Sequence, residues 1–265
     1  TDSTKTGGLP VIGVSNIKNR DGKFDEPRQI NKKEIKEILT AFVDAAKNFK
    51  EIGFDGVEIH AANGFIIDQF LKDCSNNRND EYGGSVENRC RFLLEVVDEI
   101  AKVIGNSRIG VKLTPGGRYN DMFDSNPQSI LDYLLPQLNK RKICFVEMCR
   151  PPDGTSGSNY EIKGEEQLPN LFTGLKKKLP DVVLVGNCGF TPEEADDLIK
   201  KKEIDMVSFA KSYIANIDLA NRIRNKWPLS QPDWSKLYGP GAEGYSDYKK
   251  YTPPVDDKVV KIEKK

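Results

Sequence analysis

The stretch NKKEIKEILTAFVDAAKNFKEIGFDGVEIHAANG, residues 31–64, joins a helix signal to a strand signal. Asn31 and Glu34 have the spacing of a capping box, and apolar residues then recur at helical intervals up to Gly53. The run 56–60 that follows is short and largely apolar, which is typical of a strand. The sequence therefore predicts an amphipathic helix that leads directly into a β-strand.

The same alternation of strand and helix continues along the chain. The five predicted strands lie at 56–60, 109–114, 144–148, 182–186 and 206–210. The helices predicted between and after them lie at 88–104, 126–139, 168–179, 191–202 and 215–226. Strict alternation favours a parallel sheet covered by helices, either a doubly wound sheet or a (β/α)8 barrel. In both folds the functional groups lie on the loops that follow the strands.

The composition limits the class of function. The chain has 265 residues with 40 Lys plus Arg and 40 Asp plus Glu, so it lacks the positive charge expected of a nucleic-acid binder. Its 37% hydrophobic content is enough for one sizeable core. No apolar run approaches the roughly eighteen residues of a membrane span, and residues 1–8 lack a secretory signal. We expect neither nucleic-acid binding nor membrane insertion.

Cysteine usage favours a reducing compartment. The five cysteines are odd in number, scattered along the chain and without a C-x-x-C pair. That pattern fits neither a disulfide framework nor a zinc ribbon, and it favours free thiols. We expect an intracellular protein, cytoplasmic or organellar with the mitochondrion included, and we predict no metal site.

Three regions follow from these patterns. Residues 1–29 are rich in Gly, Pro, Asn and Asp and predict an extended N-terminal segment with one short strand. Residues 30–227 form the predicted α/β domain. Residues 228–265 form a C-terminal segment, in which the charged stretch 256–265 has little to bury and is expected to be a mobile tail.

His60 and Asn63 are the first candidates for chemistry. His60 is the only histidine and ends the first predicted strand, and Asn63 follows three positions later. Two hydrogen-bonding side chains at the carboxyl end of a strand can converge on one acceptor oxygen, although a lone histidine can also simply cap a strand end. Glu58 faces the same side as His60, and we expect it to orient a neighbouring side chain.

Other catalytic patterns are weak or missing in the sequence. It contains no G-x-S-x-G, no Walker A loop and no H-E-x-x-H. A Gly186-Asn187 turn follows the fourth strand and Ala210-Lys211 follows the fifth, which together offer the backbone N–H groups and the cation that a phosphate requires. The polar, glycine-rich stretch 77–89 predicts an ordered connector in which Asp and Arg side chains pair.

Several motifs together resemble one family. They are GFDGVEIHAANG at 53–64, DQFL at 68–71, NRNDEYGGSVENRCRF at 77–92 and GYSDY at 244–248. This combination closely resembles the Old Yellow Enzyme family of FMN-dependent NAD(P)H oxidoreductases, which includes the 12-oxophytodienoate reductases, and the resemblance covers nearly all of 30–248. It implies a (β/α)8 barrel with FMN at its carboxyl-end mouth, reduced by NAD(P)H and reoxidised by a small electrophilic alkene such as an enone.

The resemblance also implies roles for individual residues. His60 and Asn63 would hydrogen-bond the substrate carbonyl while hydride passes from the flavin to the β-carbon. Lys112 would lie beside the N1/O2 edge of the flavin. The implied phosphate pocket is lined by Gly186, Asn187, Ala210 and Lys211.

The chain departs from the family pattern at the same site. Phe65 replaces the usual tyrosine that protonates the substrate α-carbon, and phenylalanine has no proton to donate. Lys112 replaces an arginine, and Ala210-Lys211 replaces a Gly-Arg pair, so positive charge is retained but the bidentate guanidinium is lost. Each change is expected to weaken the binding or use of FMN.

The five predicted strands match the fourth to eighth strands of the family barrel, so strands 1–3 have no counterpart and the chain is expected to form a partial barrel. The sequence is then a fragment, a chain completed by a protein partner that supplies the strands, or a reshaped scaffold. Two functions remain open. One is an FMN-dependent ene reductase, and the other is a catalytically degenerate structural or assembly subunit that has lost FMN.

Overall fold

The computed structural model describes residues 3–18, 24–117, 119–151, 168, 170–237 and 239–254. The described residues fall into two compact units that divide between Ser208 and Phe209. The first unit contains helices and a parallel sheet, which confirms the α/β class, and the second contains short helices and extended segments. The predicted boundaries at 29 and 227 stay predictions, and the predicted tail at 256–265 lies outside the described residues.

The N-terminal segment contains two very short strands, β1 (Ile12–Gly13) and β2 (Arg28–Gln29), which pair in parallel. The connector that follows the first long strand fastens this segment. Arg78 donates from Nη1 to the carbonyl oxygens of Val14 and Ile30, both at 2.8 Å, and its Nη2 lies 2.7 Å from Asp80 Oδ2. The Arg–Asp pairing predicted for this connector is therefore confirmed.

Five parallel strands form the main sheet of the first unit, in the order of the chain. They are β3 (Val57–Ala61), β4 (Ile109–Leu113), β5 (Phe145–Cys149), β6 (Val183–Asn187) and β7 (Met206–Val207). The five predicted strands are confirmed, although β7 ends at Val207 rather than at 210. The carboxyl ends of all five strands lie on one edge of the sheet, which is the edge where functional loops of α/β proteins gather.

Helices of the first unit are α1 (Lys32–Glu51), α2 (Ile66–Leu71), α3 (Val86–Ile104), α4 (Pro127–Arg141) and α5 (Pro192–Lys200). The capping box of α1 is present: Asn31 accepts from the Glu34 backbone N–H, and the Glu34 side chain accepts from the Asn31 backbone N–H. Within the described residues no helix is long and apolar enough to cross a membrane.

The two faces of the sheet differ in burial. Helices α2 and α3 pack against the outer face, where Ile59, Val111, Val146 and Leu184 are at most 3% exposed. The alternate residues of the same strands point to the inner face, which carries polar side chains and remains partly open. The hydrophobic core therefore packs against the outer face of the sheet, and the inner face is accessible to a ligand.

The structure corrects two predicted helices. The helix predicted at 168–179 is wrong, because its described residues contain only the short 3-10 helix Leu175–Lys178, and Gly174 precedes it with a left-handed φ of 76°. The helix predicted at 215–226 is two short helices of the second unit, α6 (Lys211–Ala215) and α7 (Leu219–Asn225). Between them the side chain of Asn216 binds the carbonyl oxygen of Ser230, which gives the chain an alternative to a continuous helix.

Candidate functional site

A row of polar side chains crosses the inner face of the sheet. The strand register places His60 of β3 beside Lys112 of β4, and Lys112 beside Glu147 of β5. Paired residues in parallel strands point to the same side, so the three side chains share one face and one level. His60 and Lys112 are half-buried, and Glu147 is 9% exposed. The row lies near the carboxyl ends of the strands.

Glu147 is the centre of this row. Its Oε1 accepts from Lys112 Nζ at 2.8 Å and from Ser208 Oγ at 2.9 Å. The same oxygen accepts from Asn187 Nδ2, which also lies 2.6 Å from Ser208 Oγ. One carboxylate oxygen on the central strand therefore gathers donors from β4, from β6 and from the residue after β7.

A second carboxyl group completes the cluster. The Glu58 side chain is exposed at the edge strand, but its carboxyl hydrogen-bonds to Glu147, and partial burial followed by this contact raises the pKa of Glu58 to about 7. Burial also raises the pKa of Glu147, but hydrogen bonds from Lys112 and Glu58 outweigh that effect and hold the pKa of Glu147 below its usual range. Below about pH 7 a proton therefore resides on Glu58 and the negative charge on Glu147.

His60 meets Phe65 at the carboxyl end of β3. Their ring centroids are 5.1 Å apart and the rings are inclined by 64°, an edge-to-face contact, while Phe65 is 56% exposed. Burial and then the positive charge of Lys112 lower the pKa of His60. The imidazole is therefore neutral at pH 7, with one nitrogen to donate and one to accept a hydrogen bond.

Asn63 lies in the tight loop between β3 and α2. Its φ of 59° is left-handed, a conformation that asparagine adopts more readily than most residues. The Asn63 N–H donates to Thr114 Oγ1 at 2.9 Å, and the Asn63 carbonyl accepts from Asn120 Nδ2 at 2.8 Å. Both partners come from the segment after β4, so the neighbouring strand–helix unit fixes this loop beside His60.

The turn after β6 is braced by an arginine. Cys188 and Gly189 have left-handed φ values of 83° and 71°. Arg150 Nε donates to the carbonyl oxygen of Cys188 at 2.7 Å, its Nη2 donates to that of Gly189 at 2.9 Å, and its guanidinium lies 4.1 Å from the centroid of the Phe190 ring. The turn is thus held by side-chain contacts that involve no ligand.

The residues of the predicted phosphate pocket belong to different units of the chain. A Cβ at Gly186 would lie 3.2 Å from atoms of Ile204 and Phe190, so the glycine is needed there for close packing. Ala210 and Lys211 belong to the second unit, where Ala210 precedes α6 and Lys211 Nζ lies 5.5 Å from the centroid of the Trp234 ring. The first unit alone brings together His60, Asn63, Phe65, Lys112 and Asn187.

Sequence reasoning missed Glu147, Ser208 and Phe145. Glu147 is the one charged residue in the run 144–148, which was a signal that a buried carboxylate needs partners. Phe145 lies on the inner face with its ring over Gly110, which has no side chain to oppose it. Ser208 carried no signal, because a serine at a strand end is common.

The donor set fits the polar edge of a flavin ring. Lys112 and Asn187 present N–H donors on an open inner face, and a flavin offers acceptor atoms along its pyrimidine edge. Glu147 accepts one N–H from each donor, and the Lys112 ammonium has three N–H groups, so a ligand there meets a prearranged set. Within the part of the chain that the structure describes, no group of three or more His, Cys, Asp or Glu residues could hold a metal ion.

Comparison with protein families and curated proteins gives a consistent result. The model of the NADH:flavin oxidoreductase / NADH oxidase family matches residues 11–230. A probable flavin mononucleotide-dependent alkene reductase from Leishmania infantum is 38% identical over 233 residues, which cover 86% of this chain and 60% of the relative. The 12-oxophytodienoate reductase 2 of Arabidopsis thaliana is 38% identical over 248 residues, which cover 91% of this chain and 63% of the relative.

Solved structures agree in fold. The Old Yellow Enzyme homologue from Zymomonas mobilis superimposes with a TM-score of 0.85 at 32% identity, covering 95% of this chain and 71% of that protein. Morphinone reductase superimposes with a TM-score of 0.83 at 30% identity, covering 92% of this chain and 67% of that protein. The chain thus spans about three fifths to seven tenths of the proteins that it resembles.

Proposed function

The chain belongs to the NADH:flavin oxidoreductase / NADH oxidase family, and from this premise we propose that it acts as an FMN-dependent NAD(P)H oxidoreductase that reduces activated alkenes such as enones. The observation that carries the proposal is the row of His60, Lys112 and Glu147 on the open inner face of the sheet, with Asn187 hydrogen-bonded to Glu147. A relative described as a probable flavin mononucleotide-dependent alkene reductase supports the choice of substrate class.

In this proposal each residue has a defined task. FMN, when bound, supplies the hydride. Neutral His60 and Asn63 donate hydrogen bonds to the carbonyl oxygen of the alkene substrate, which stabilises the negative charge that develops there. Lys112 and Asn187 hold the polar edge of the flavin ring. Phe65 has no acidic proton, so water protonates the substrate α-carbon.

We further propose that β3 to β7 are the fourth to eighth strands of a (β/α)8 barrel. The parallel order of the five strands and the superposition on Old Yellow Enzyme homologues support this assignment. In a closed barrel the inner face would be enclosed by three more strands, supplied by the same protein or by a partner chain. The partly open inner face is consistent with such completion.

A degenerate subunit is the second candidate function. The observation that favours it is the combination of Phe65, which cannot protonate a substrate, with a Lys112 whose charge is balanced by Glu147. Under this alternative the fold is retained for assembly with a protein partner and FMN is lost. The two candidates differ in a single property, the uptake of FMN.

The test is to titrate the purified protein with FMN and to record flavin absorption and fluorescence. Stoichiometric uptake, followed by enone-dependent oxidation of NADH or NADPH, is the expected result. A protein that stays colourless in excess FMN, with a folded circular dichroism spectrum, would contradict the oxidoreductase and favour the assembly subunit. The matched variant Lys112→Met should weaken uptake, because it removes the cation but keeps most of the side-chain volume.

A further inference from the structure

Glu147 hydrogen-bonds both side chains that we assign to the polar edge of the flavin. Lys112 Nζ and Asn187 Nδ2 both bind the same oxygen of this carboxylate, although they come from strands on opposite sides of β5. Ser208 Oγ reaches that oxygen as well, at 2.9 Å. Three residues, 35, 40 and 61 positions away from Glu147 in the sequence, therefore converge on one of its oxygen atoms.

We propose that Glu147 acts as the counter-ion of Lys112 and thereby lowers the affinity of the inner face for an electron-rich ligand edge. The inference rests on the proposed function only where it names FMN as that ligand. The claim that Glu147 is the counter-ion of Lys112 concerns residues of this chain alone and does not depend on FMN.

The charge balance of the cluster supports this role. Lys112 contributes one positive charge and Glu147 one negative charge, with 2.8 Å between Nζ and Oε1. Glu58 is the only other carboxyl that the described contacts bring to Glu147, and below about pH 7 the proton that it retains leaves the cluster without net charge. A ligand edge that accepts hydrogen bonds therefore meets oriented donors but no net attraction.

The variant Glu147→Gln removes the negative charge of the side chain and keeps its shape. Glutamine keeps an acceptor oxygen of similar position but carries no charge, so Lys112 loses its hydrogen-bonded counter-ion. The Glu58 carboxyl and the Cys149 thiol also act on Lys112, and both remain in the variant. Loss of this contacting opposite charge lowers the pKa of Lys112, so a larger fraction of Lys112 is unprotonated at a given pH. The neutral amine is the form that reacts with aldehydes.

Reductive methylation with formaldehyde and cyanoborohydride measures that fraction, because the neutral amine condenses with formaldehyde and the hydride reagent reduces the imine. Lys112 should be methylated about tenfold faster in Glu147→Gln than in the wild type, with the pH profile moved to lower pH, as followed by peptide mass spectrometry. Glu147→Met is a second variant without charge and should behave in the same way. Glu99→Gln, which removes an exposed carboxylate on α3, is the matched control and should leave the rate unchanged.

FMN titration then tests the consequence for binding. Glu147→Gln should bind FMN about tenfold more tightly than the wild type, and adding Lys112→Met should remove the gain. An unchanged methylation rate in both folded Glu147 variants overturns the inference, and so does unchanged or weaker FMN binding by a variant that takes up FMN. Faster methylation without FMN uptake by any variant supports the counter-ion role and refutes the proposed function.

Discussion

The rings of His60 and Phe65 meet edge to face at the carboxyl end of β3, with 5.1 Å between their centroids. The neutral imidazole is the proposed donor to the substrate carbonyl, and its neighbour is a ring without an acidic hydrogen. Position 65 is therefore close enough to the proposed reaction site for a side-chain change to affect proton supply.

Phe65→Tyr should raise turnover with an enone. A positioned phenol can act as a general acid, and general acids contribute roughly hundredfold or more, so we expect a gain of at least about tenfold. The measurement is enone-dependent oxidation of NADPH at saturating FMN. Phe65→Leu, which offers no proton, is the control and should show no gain. An equal rate for Phe65→Tyr and the wild type would mean that proton supply does not limit turnover.

His60→Ala should weaken the binding of phenolic ligands to the FMN-loaded protein by about tenfold or more, because a hydrogen bond to a charged or strongly polar group is lost. Difference absorption spectroscopy of the flavin reports that binding. His60→Gln keeps a donor and should retain part of the affinity. Ligand affinity that is the same in the wild type and in His60→Ala would contradict the assignment of His60 to the site.

Glu58→Gln should reduce the pH dependence of stability on the alkaline side of pH 4.5. The pKa of Glu58 is raised from 4.5 to about 7 by burial and by Glu147, so between these values the folded protein binds a proton that the unfolded chain releases. The free energy of unfolding contributed by this group is fully present below pH 4.5 and is lost as pH rises through about 7.

Urea unfolding at pH 5 and pH 7.5 measures this effect. The fall in the free energy of unfolding over that interval should be smaller in Glu58→Gln than in the wild type. Glu34→Gln is a control of opposite sign, because hydrogen bonds from Arg28 and Asn31 lower the pKa of Glu34 to about 2 and its effect appears only below pH 4.5. Equal pH dependence in Glu58→Gln and the wild type would contradict the raised pKa of Glu58.

Arg78→Met should loosen the N-terminal segment. The Arg78 side chain is 2% exposed and binds two carbonyl oxygens of that segment as well as Asp80, so its loss should cost about 3 kcal/mol of unfolding free energy. Limited proteolysis should then cut the segment earlier than in the wild type. Arg28→Met removes an exposed ion pair with Glu34 and should change proteolysis little. Equal effects of the two variants would argue against the anchoring role.

Local patterns allowed much of the fold to be predicted. The capping box at Asn31 and the helical period up to Gly53 gave α1 because they depend on residues close in sequence. The alternation of strands and helices gave the parallel sheet, and it placed His60 at a strand end. The helix at 168–179 failed because apolar spacing does not report the left-handed conformation at Gly174.

The Glu147 cluster could not be predicted from the sequence. Its contacts join residues 35, 40 and 61 positions apart, and no short-range pattern specifies which polar side chains of separate strands meet. The family resemblance gave Lys112 and Asn187, but it did not indicate that a third side chain engages both. Strand register supplied that information, since it fixes the level of every inward-facing residue.

The contacts of the Asn63 loop limit which segments of this protein can be exchanged between relatives. This loop is held by Thr114 and Asn120, which belong to the next strand–helix unit. A recombinant that took β3 to α3 from one parent and β4 to α4 from another would combine the Asn63 loop of one parent with residues 114 and 120 of the other. Chimaeras joined between α3 and β4 should therefore tolerate exchange only between parents that agree at these two positions, so the pair of units is the smallest transferable module.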